Sequence, residues 1–206
     1  MADFTGVHAA GSSIARYLSF CFSQRPPISD STTSVVLART EDFEDPNTQH
    51  ATITLPCLSL YLYRIDFNKV MRAAWSSVSH VDGESHLPLD LHFLLTAWAN
   101  NAENEYRILG RAMQCIENTP ILNGPLLDPM TDWTTQESIW TAQESIQLCM
   151  EELSNEEVMR IFDSLPVDYK LSIPYVARVL VVDGYEKHQG QPVSMVAVGV
   201  HSEVDK

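Results

Sequence analysis

The sequence predicts a mixed α/β fold of the α+β kind, with one central, mostly antiparallel sheet flanked by helices. Three observations carry that expectation. Residues 88–98 (PLDLHFLLTAW) place apolar side chains at every second position, the period of a strand. Asn101–Asn118 repeats them at helical three- and four-residue steps. Along the whole chain the order reads helix, strand, strand, strand, helix, strand, helix, strand, strand.

Residues 4–24 read as the first helix, with Val7, Ala10, Ile14, Leu18 and Cys21 on one stripe. Tyr17, Phe20 and Phe22 fall off that stripe, and Arg16 is the segment's only charged side chain. A solvated helix face normally carries several charges. This helix is therefore either sandwiched inside its own domain or covered by another subunit. Arg25-Pro26-Pro27 ends it, because proline cannot continue a helix. Ser34–Arg39 is a short strand, followed by an acidic loop at 41–47. Residues 55–67 form a strand with Leu58, Leu60 and Leu62 on one face and Tyr61, Tyr63, Ile65 and Phe67 on the other. Two apolar faces predict a central strand covered on both sides. Residues 68–87 are irregular, and the 88–98 strand then lines up Leu89, Leu91, Phe93, Leu95 and Ala97.

In the second helix the stripe is Ala102, Tyr106, Leu109, Met113 and Ile116. Asn101 caps it, Glu103 and Glu105 meet the positive end of its dipole, and Pro120 closes it. Residues 119–142 are a long loop carrying Trp133 and Trp140. Ser145–Met150 alternates as a strand. Ser154-Asn155-Glu156-Glu157 is a capping box that starts a short helix reaching about Leu165, with Leu153 and Val158 placed as a hydrophobic staple. Residues 170–182 form a strand in which Pro174 predicts an edge position or a bulge. A polar link leads to a last apolar run, Val193–Val200. The expected organisation is one domain over 1–185 and a strand or tail over 186–206.

Composition narrows the function classes. Of 206 residues, 13 are Lys or Arg and 27 are Asp or Glu, a net charge of −14. Phosphate binding leans on clustered cations, so nucleic acid is not the expected partner, nor are anionic lipid headgroups. No stretch approaches the ~20 apolar residues of a membrane span, so direct membrane insertion is not expected. The N-terminus lacks signal-peptide features, so cytoplasmic synthesis as a soluble chain is. Cys21, Cys57, Cys115 and Cys149 contain no C-x-x-C pair and read as small buried hydrophobes in a reducing compartment.

The chemistry motifs are weak. There is no hydrolase elbow, phosphate loop or dinucleotide fingerprint. Gly11-Ser12-Ser13 reads as close packing rather than a nucleophile. His80, Asp82, Glu84 and His86 resemble a metal cluster, but their spacing fits a polar surface loop better. Asp90 and His92 share a strand face and form either an acid/base pair or, with no nucleophile in view, a structural or interface contact. Trp133 and Trp140 either anchor a partner or fold back onto the core. No catalytic residue, metal or cofactor is therefore assigned.

At Leu87–Leu122 the chain becomes specific. Leu-Pro-Leu-Asp-Leu-His at 87–92, the acids Glu103 to Glu105, Leu109-Gly110-Arg111-Ala112 and Asn118-Thr119-Pro120 occur in that order. With Cys57–Asn68 upstream and Pro174–Asp183 downstream, the set resembles the tail-terminator, or cap, proteins of extracellular contractile injection systems. These are phage-tail-like particles with an inner tube and a contractile sheath. The resemblance implies a fold like phage tail terminators and a non-enzymatic structural role. It implies a homohexameric ring that binds the last tube and sheath layers, ends their polymerisation, is assembled in the cytoplasm and leaves on the particle. The alternatives are a small metal-dependent or acid/base hydrolase, and an adaptor attaching the particle or its cargo to another component.

A cap needs interfaces. Arg16, Tyr17 and Phe20 on the first helix, Asp90 and His92 on the strand, Gly110 and Arg111 on the second helix, and the two loop tryptophans are the candidates. Gly110 permits close backbone approach, either to a neighbour or to its own sheet. Residues 41–45 carry −4, and 128–163 carry −8, so the rest is nearly neutral and is the expected place of the ring contacts. The acidic segments, including Glu151, Glu152, Glu156 and Glu157, are expected at solvated rims or against basic patches of tube or sheath.

Overall fold

A computed structural model describes residues 4–43, 52–72, 86–129, 138–140 and 144–184. It contains six strands in one sheet: β1 (Ser34–Ala38), β2 (Cys57–Phe67), β3 (His86–Trp98), β4 (Ile121–Asn123), β5 (Ser145–Met150) and β6 (Ser172–Asp183). Their spatial order is β1-β2-β3-β6-β5-β4. Only β1 and β2 run parallel; the other neighbours are antiparallel. Four α-helices accompany them among the described residues: α1 (Gly6–Gln24), α2 (Lys69–Arg72), α3 (Ala102–Asn118) and α4 (Asn155–Asp163). The mixed fold with a mostly antiparallel sheet is as the sequence predicts. The last apolar run, the 186–206 tail, Trp133 and most of the His80–His86 loop lie outside the described residues.

Two cores form on the two sheet faces. On the first, α1 lies over β1 and β6, and α3 over β2 and β3, the helices touching each other. Ile14, Leu18, Leu58, Leu60, Leu91, Leu95, Ile108 and Leu109 fill this core. Burying each such side chain is worth roughly 1.5–3 kcal/mol against leaving it in water. Gly11 lets α1 approach β1, because a Cβ there would stand 3.2 Å from Leu37 Cδ2. On the second face, Phe43, Ile53, Leu94, Trp98, Phe162 and Leu165 pack together under α4. The capping box of α4 is present: Glu157 N–H donates to Ser154 Oγ at 3.3 Å, and Ser154 N–H to Glu157 Oε2 at 2.8 Å.

Three expectations change, and one choice left open by the sequence is decided. The buried stripe of α3 is Ile108, Leu109, Ala112, Cys115 and Ile116, while Tyr106 is exposed. The helix is rotated because it must face α1 as well as the sheet. Tyr17 and Phe22 are buried, so α1 is largely sandwiched within its own chain, and Phe20 alone of the three aromatics stays 59% exposed. The 119–142 loop contains β4, which pairs with β5. Finally, β6 is no edge strand but lies between β3 and β5. Pro174 is tolerated there because its carbonyl accepts from Glu151 N–H at 3.0 Å, which puts its ring nitrogen on the β5 side, beyond the last β5–β6 pair at Met150 and Tyr175.

Two bulges shape the middle of the sheet. The β2–β3 register passes from Leu62 opposite Phe93 to Arg64 opposite His92, leaving Tyr63 as an extra residue. The β3–β6 register passes from Leu91 opposite Ala177 to Leu89 opposite Leu180, so Asp90 faces both Arg178 and Val179. The first bulge inverts the alternation of β2. Ile65 and Phe67 therefore join the face of Leu89 and Leu91 instead of that of Tyr61 and Tyr63, and they are 47% and 53% exposed. The sequence expectation of two covered faces holds for Cys57–Leu60 and fails after the bulge.

Candidate functional site

The bulge at Tyr63 turns two consecutive side chains, Tyr63 and Arg64, toward the same carboxylate. Tyr63 Oη donates to Glu151 Oε2 at 2.7 Å, and Arg64 Nη2 donates to Glu151 Oε1 at 2.9 Å. His92 of β3, only 5% exposed, completes the group with Nδ1 at 2.8 Å from Glu151 Oε2. Asp66 closes the outer side, with Oδ2 at 3.0 Å from Arg64 Nε and 3.3 Å from His92 Nε2. β2, β3 and the chain just past β5 are thus tied by one polar network on the second sheet face.

Electrostatics follow from this packing. Burial pushes the Glu151 carboxyl up, but hydrogen bonds from His92 and Tyr63 and the charges of His92 and Arg64 hold it net below the ordinary glutamate value. Burial, with the Glu151 carboxylate next in weight, pushes the Tyr63 hydroxyl well above the ordinary tyrosine value. The network borders an open cleft of about 720 Å³ that Asp90, Asn68, Lys69 and Arg178 also line. Asp90 accepts from Asn68 Nδ2 at 3.2 Å and is engaged there, not with His92. The acid/base pair considered from sequence is therefore two separate contacts. Arg64, Tyr63 and Asp66 were not among the sequence candidates, although the face of Leu58, Leu60 and Leu62 turns charged at Arg64 and Asp66, which marks a shift of the alternation.

The other candidates divide into those used within the chain and those left outward. Arg16 Nη2 donates to Pro125 O at 2.9 Å and to Leu127 O, fastening α1 to the segment after β4. Tyr17 Oη donates to Cys115 O at 2.6 Å. Arg111 caps the end of α1, donating from Nη2 to Cys21 O at 3.1 Å and from Nε to Arg25 O at 3.2 Å. Trp140 Nε1 donates to Asp128 O at 2.8 Å, and the ring is half-buried against the first core. Glu156 pairs with Arg160 at 2.6 Å, Glu157 serves the capping box, and Glu152 is exposed. His86 Nδ1 lies 2.6 Å from Asp183 Oδ1, clasping the start of β3 to the end of β6. Among the described residues no His, Cys, Asp and Glu group fits a metal ion.

Two outward features remain. Phe20 stands beside Arg16, Tyr17, Pro125 and Leu126 around a cleft of about 250 Å³. Gly110 is exposed in the middle of α3, with nothing within 4 Å of where a Cβ would be. Its own sheet does not require it, which removes the packing explanation weighed from sequence. A mid-helix glycine costs roughly 1 kcal/mol relative to alanine, a cost nothing inside the described chain offsets.

Comparison with known proteins places this geometry. Residues 12–195 match the family described as the Pvc16 N-terminal domain. The fold is similar to a chain in a solved structure of an extracellular contractile injection system, the PVC sheath/tube terminator in its extended state. The identity is 14% and the TM-score 0.52, over 100% of this chain and 66% of that one. A solved anti-feeding prophage cap, a tube terminating cap, matches at 14% identity and TM-score 0.48, over 94% of this chain and 59% of that one. The chain thus spans under two thirds of each. No curated protein sequence gives a significant match.

Proposed function

The chain belongs to the Pvc16 N-terminal domain family, and from that premise we propose that it is the structural cap of a contractile injection system. Copies of it form a ring, a hexamer, on the distal end of the inner tube and sheath, and their presence ends polymerisation. The ring is assembled in the cytoplasm and stays on the released particle. The observation that carries this reading is one of extent: the family match runs from within α1 past the end of β6, so it takes in the whole sheet, whose fold is similar to a sheath/tube terminator.

The role is structural rather than enzymatic. The polar groups that most resembled an acid/base centre, Asp90, His92 and Glu151, bond to Asn68, Arg64, Tyr63 and one another. Such a network stiffens a sheet, and its groups satisfy one another. In a closed ring each contact joins two different patches, and the rotation must close. Gly110 and Phe20, outward on α3 and α1, are the residues we assign to one such patch. Glu152 is the acid of the 151–157 segment we assign to tube or sheath, since Glu151, Glu156 and Glu157 are engaged within the chain.

The test is localisation. An affinity-tagged protein expressed in producing cells should place label at one end of the purified particle, opposite the baseplate, in electron micrographs. Label scattered along the sheath, or missing from intact particles, would remove the reading.

A further inference from the structure

The contact between α1 and α3 brings two cysteines onto facing turns. Cys21 lies near the end of α1 and Cys115 near the end of α3, in the first core. Tyr17, one turn before Cys21 on α1, donates its hydroxyl to Cys115 O at 2.6 Å, so the two cysteines stand on facing turns. The backbones are fixed at the same place, since Arg111 of α3 donates to Cys21 O. The pair combines two different exposures. Cys21 is half-buried and reachable from solvent, whereas Cys115 is 1% exposed. Burial, followed by the contact with Cys21, pushes the Cys115 thiol up to about 12, against a lowering by the Arg111 charge. Neither remaining cysteine shares the site: Cys57 belongs to the core on the opposite sheet face, and Cys149 stands on β5.

We propose that Cys21 and Cys115 form a disulfide between α1 and α3 when the folded protein meets a small-molecule disulfide such as glutathione disulfide, and that this bond locks the two helices together. The Cys21 thiolate attacks one sulfur of glutathione disulfide, whose sulfur–sulfur bond breaks and releases one glutathione thiolate. The mixed disulfide on Cys21 is then attacked by the Cys115 sulfur, which gives up its proton, and the second glutathione thiolate leaves. Two protein thiols are oxidised, one glutathione disulfide is reduced to two glutathiones, and the protons end on the latter. Exposure sets the order, because only Cys21 is open to the first encounter, and the burial of Cys115 makes the second step slow. The bond would close a loop containing β1, β2, β3 and most of α3, a long connection of the kind whose closure restricts the unfolded chain most. This inference depends on the α1–α3 packing and not on the capping reading.

The experiment uses the full chain. The reduced, folded protein is incubated with glutathione disulfide, quenched with an alkylating agent under denaturing conditions and mapped by mass spectrometry without reduction. The expected result is a cross-linked peptide pair carrying Cys21 and Cys115, a mass lower by two hydrogens, alkylated Cys57 and Cys149, and a melting temperature raised by roughly 5 °C or more. In Cys115→Ser, glutathione should remain on Cys21. Full alkylation of both residues, glutathione left on Cys21 of the unsubstituted chain, or a link through Cys149 would overturn the disulfide. A melting temperature unchanged on oxidation would overturn the lock.

Discussion

His92 Nδ1 stands 2.8 Å from Glu151 Oε2, joining the middle of β3 to the chain just beyond β5 across the intervening β6. Because Tyr63 and Arg64 bond the same carboxylate, Glu151 is the hub of the second sheet face.

That hub predicts a pH dependence. The folded-state value of Glu151 lies below its ordinary 4.5: burial raises it, and the hydrogen bonds from His92 and Tyr63 with the nearby positive charge outweigh burial. A depressed carboxyl contributes stability above the unfolded value and loses it as pH falls through the folded one. Glu151→Gln should melt lower than the native sequence near neutral pH, and the difference should shrink as pH falls below the ordinary glutamate value and through the depressed folded one. Melting curves from about pH 3 to 7 check this; a gap that does not narrow toward the acid end would contradict it.

Tyr17→Phe removes the hydroxyl bonded to Cys115 O but keeps the ring in the core. Thr119 N–H still bonds that carbonyl at 3.2 Å, so the loss should stay near 1 kcal/mol in denaturant titrations. An effect within error would mean that the bond is not formed in solution.

Arg111 gives its donors to the last carbonyls of α1. Arg111→Ala should cost about 1 kcal/mol and speed amide exchange in the final turn of α1. Arg111→Lys should recover little, since an ammonium lacks the planar fork that reaches both carbonyls. Equal exchange in all three proteins would deny the cap.

Gly110 separates folding from assembly. Gly110→Ala should stabilise the isolated chain by about 0.5–1 kcal/mol, because the helix gains propensity and the space is open. Gly110→Trp should fold equally well yet lose the ring in native mass spectrometry. A ring that tolerates tryptophan there would take α3's outer face out of the subunit contact.

Much of this was legible in the sequence because local signals matched the tertiary outcome. Asn101 accepts from Asn104 N–H at 2.8 Å, and the Ser154 capping box is formed, since caps depend on residues within one turn. Leu89 to Ala97 alternate into the first core as their period requires. What failed depended on distant partners. The rotation of α3 depends on α1, and the interior position of β6 depends on β5 reaching it from another part of the chain. At three residues, β4 is too short to show a period. The site was half visible: Asp90, His92 and Glu151 stood out as ionisable residues, but only the bulge at Tyr63 brings Arg64 to His92 and Glu151. Arg16, Tyr17, Arg111 and Trp140, expected at interfaces, each bond a backbone carbonyl elsewhere in the chain, a pairing that spacing alone does not reveal.

The central claim concerns length. The most direct measurement is the length distribution of particles, by electron microscopy, from producing cells that lack the gene, with and without complementation by the full chain. The capping account predicts that deletion broadens the distribution or removes stable particles and that complementation restores a single length. Stable particles of unchanged, uniform length in the deletion strain would contradict it.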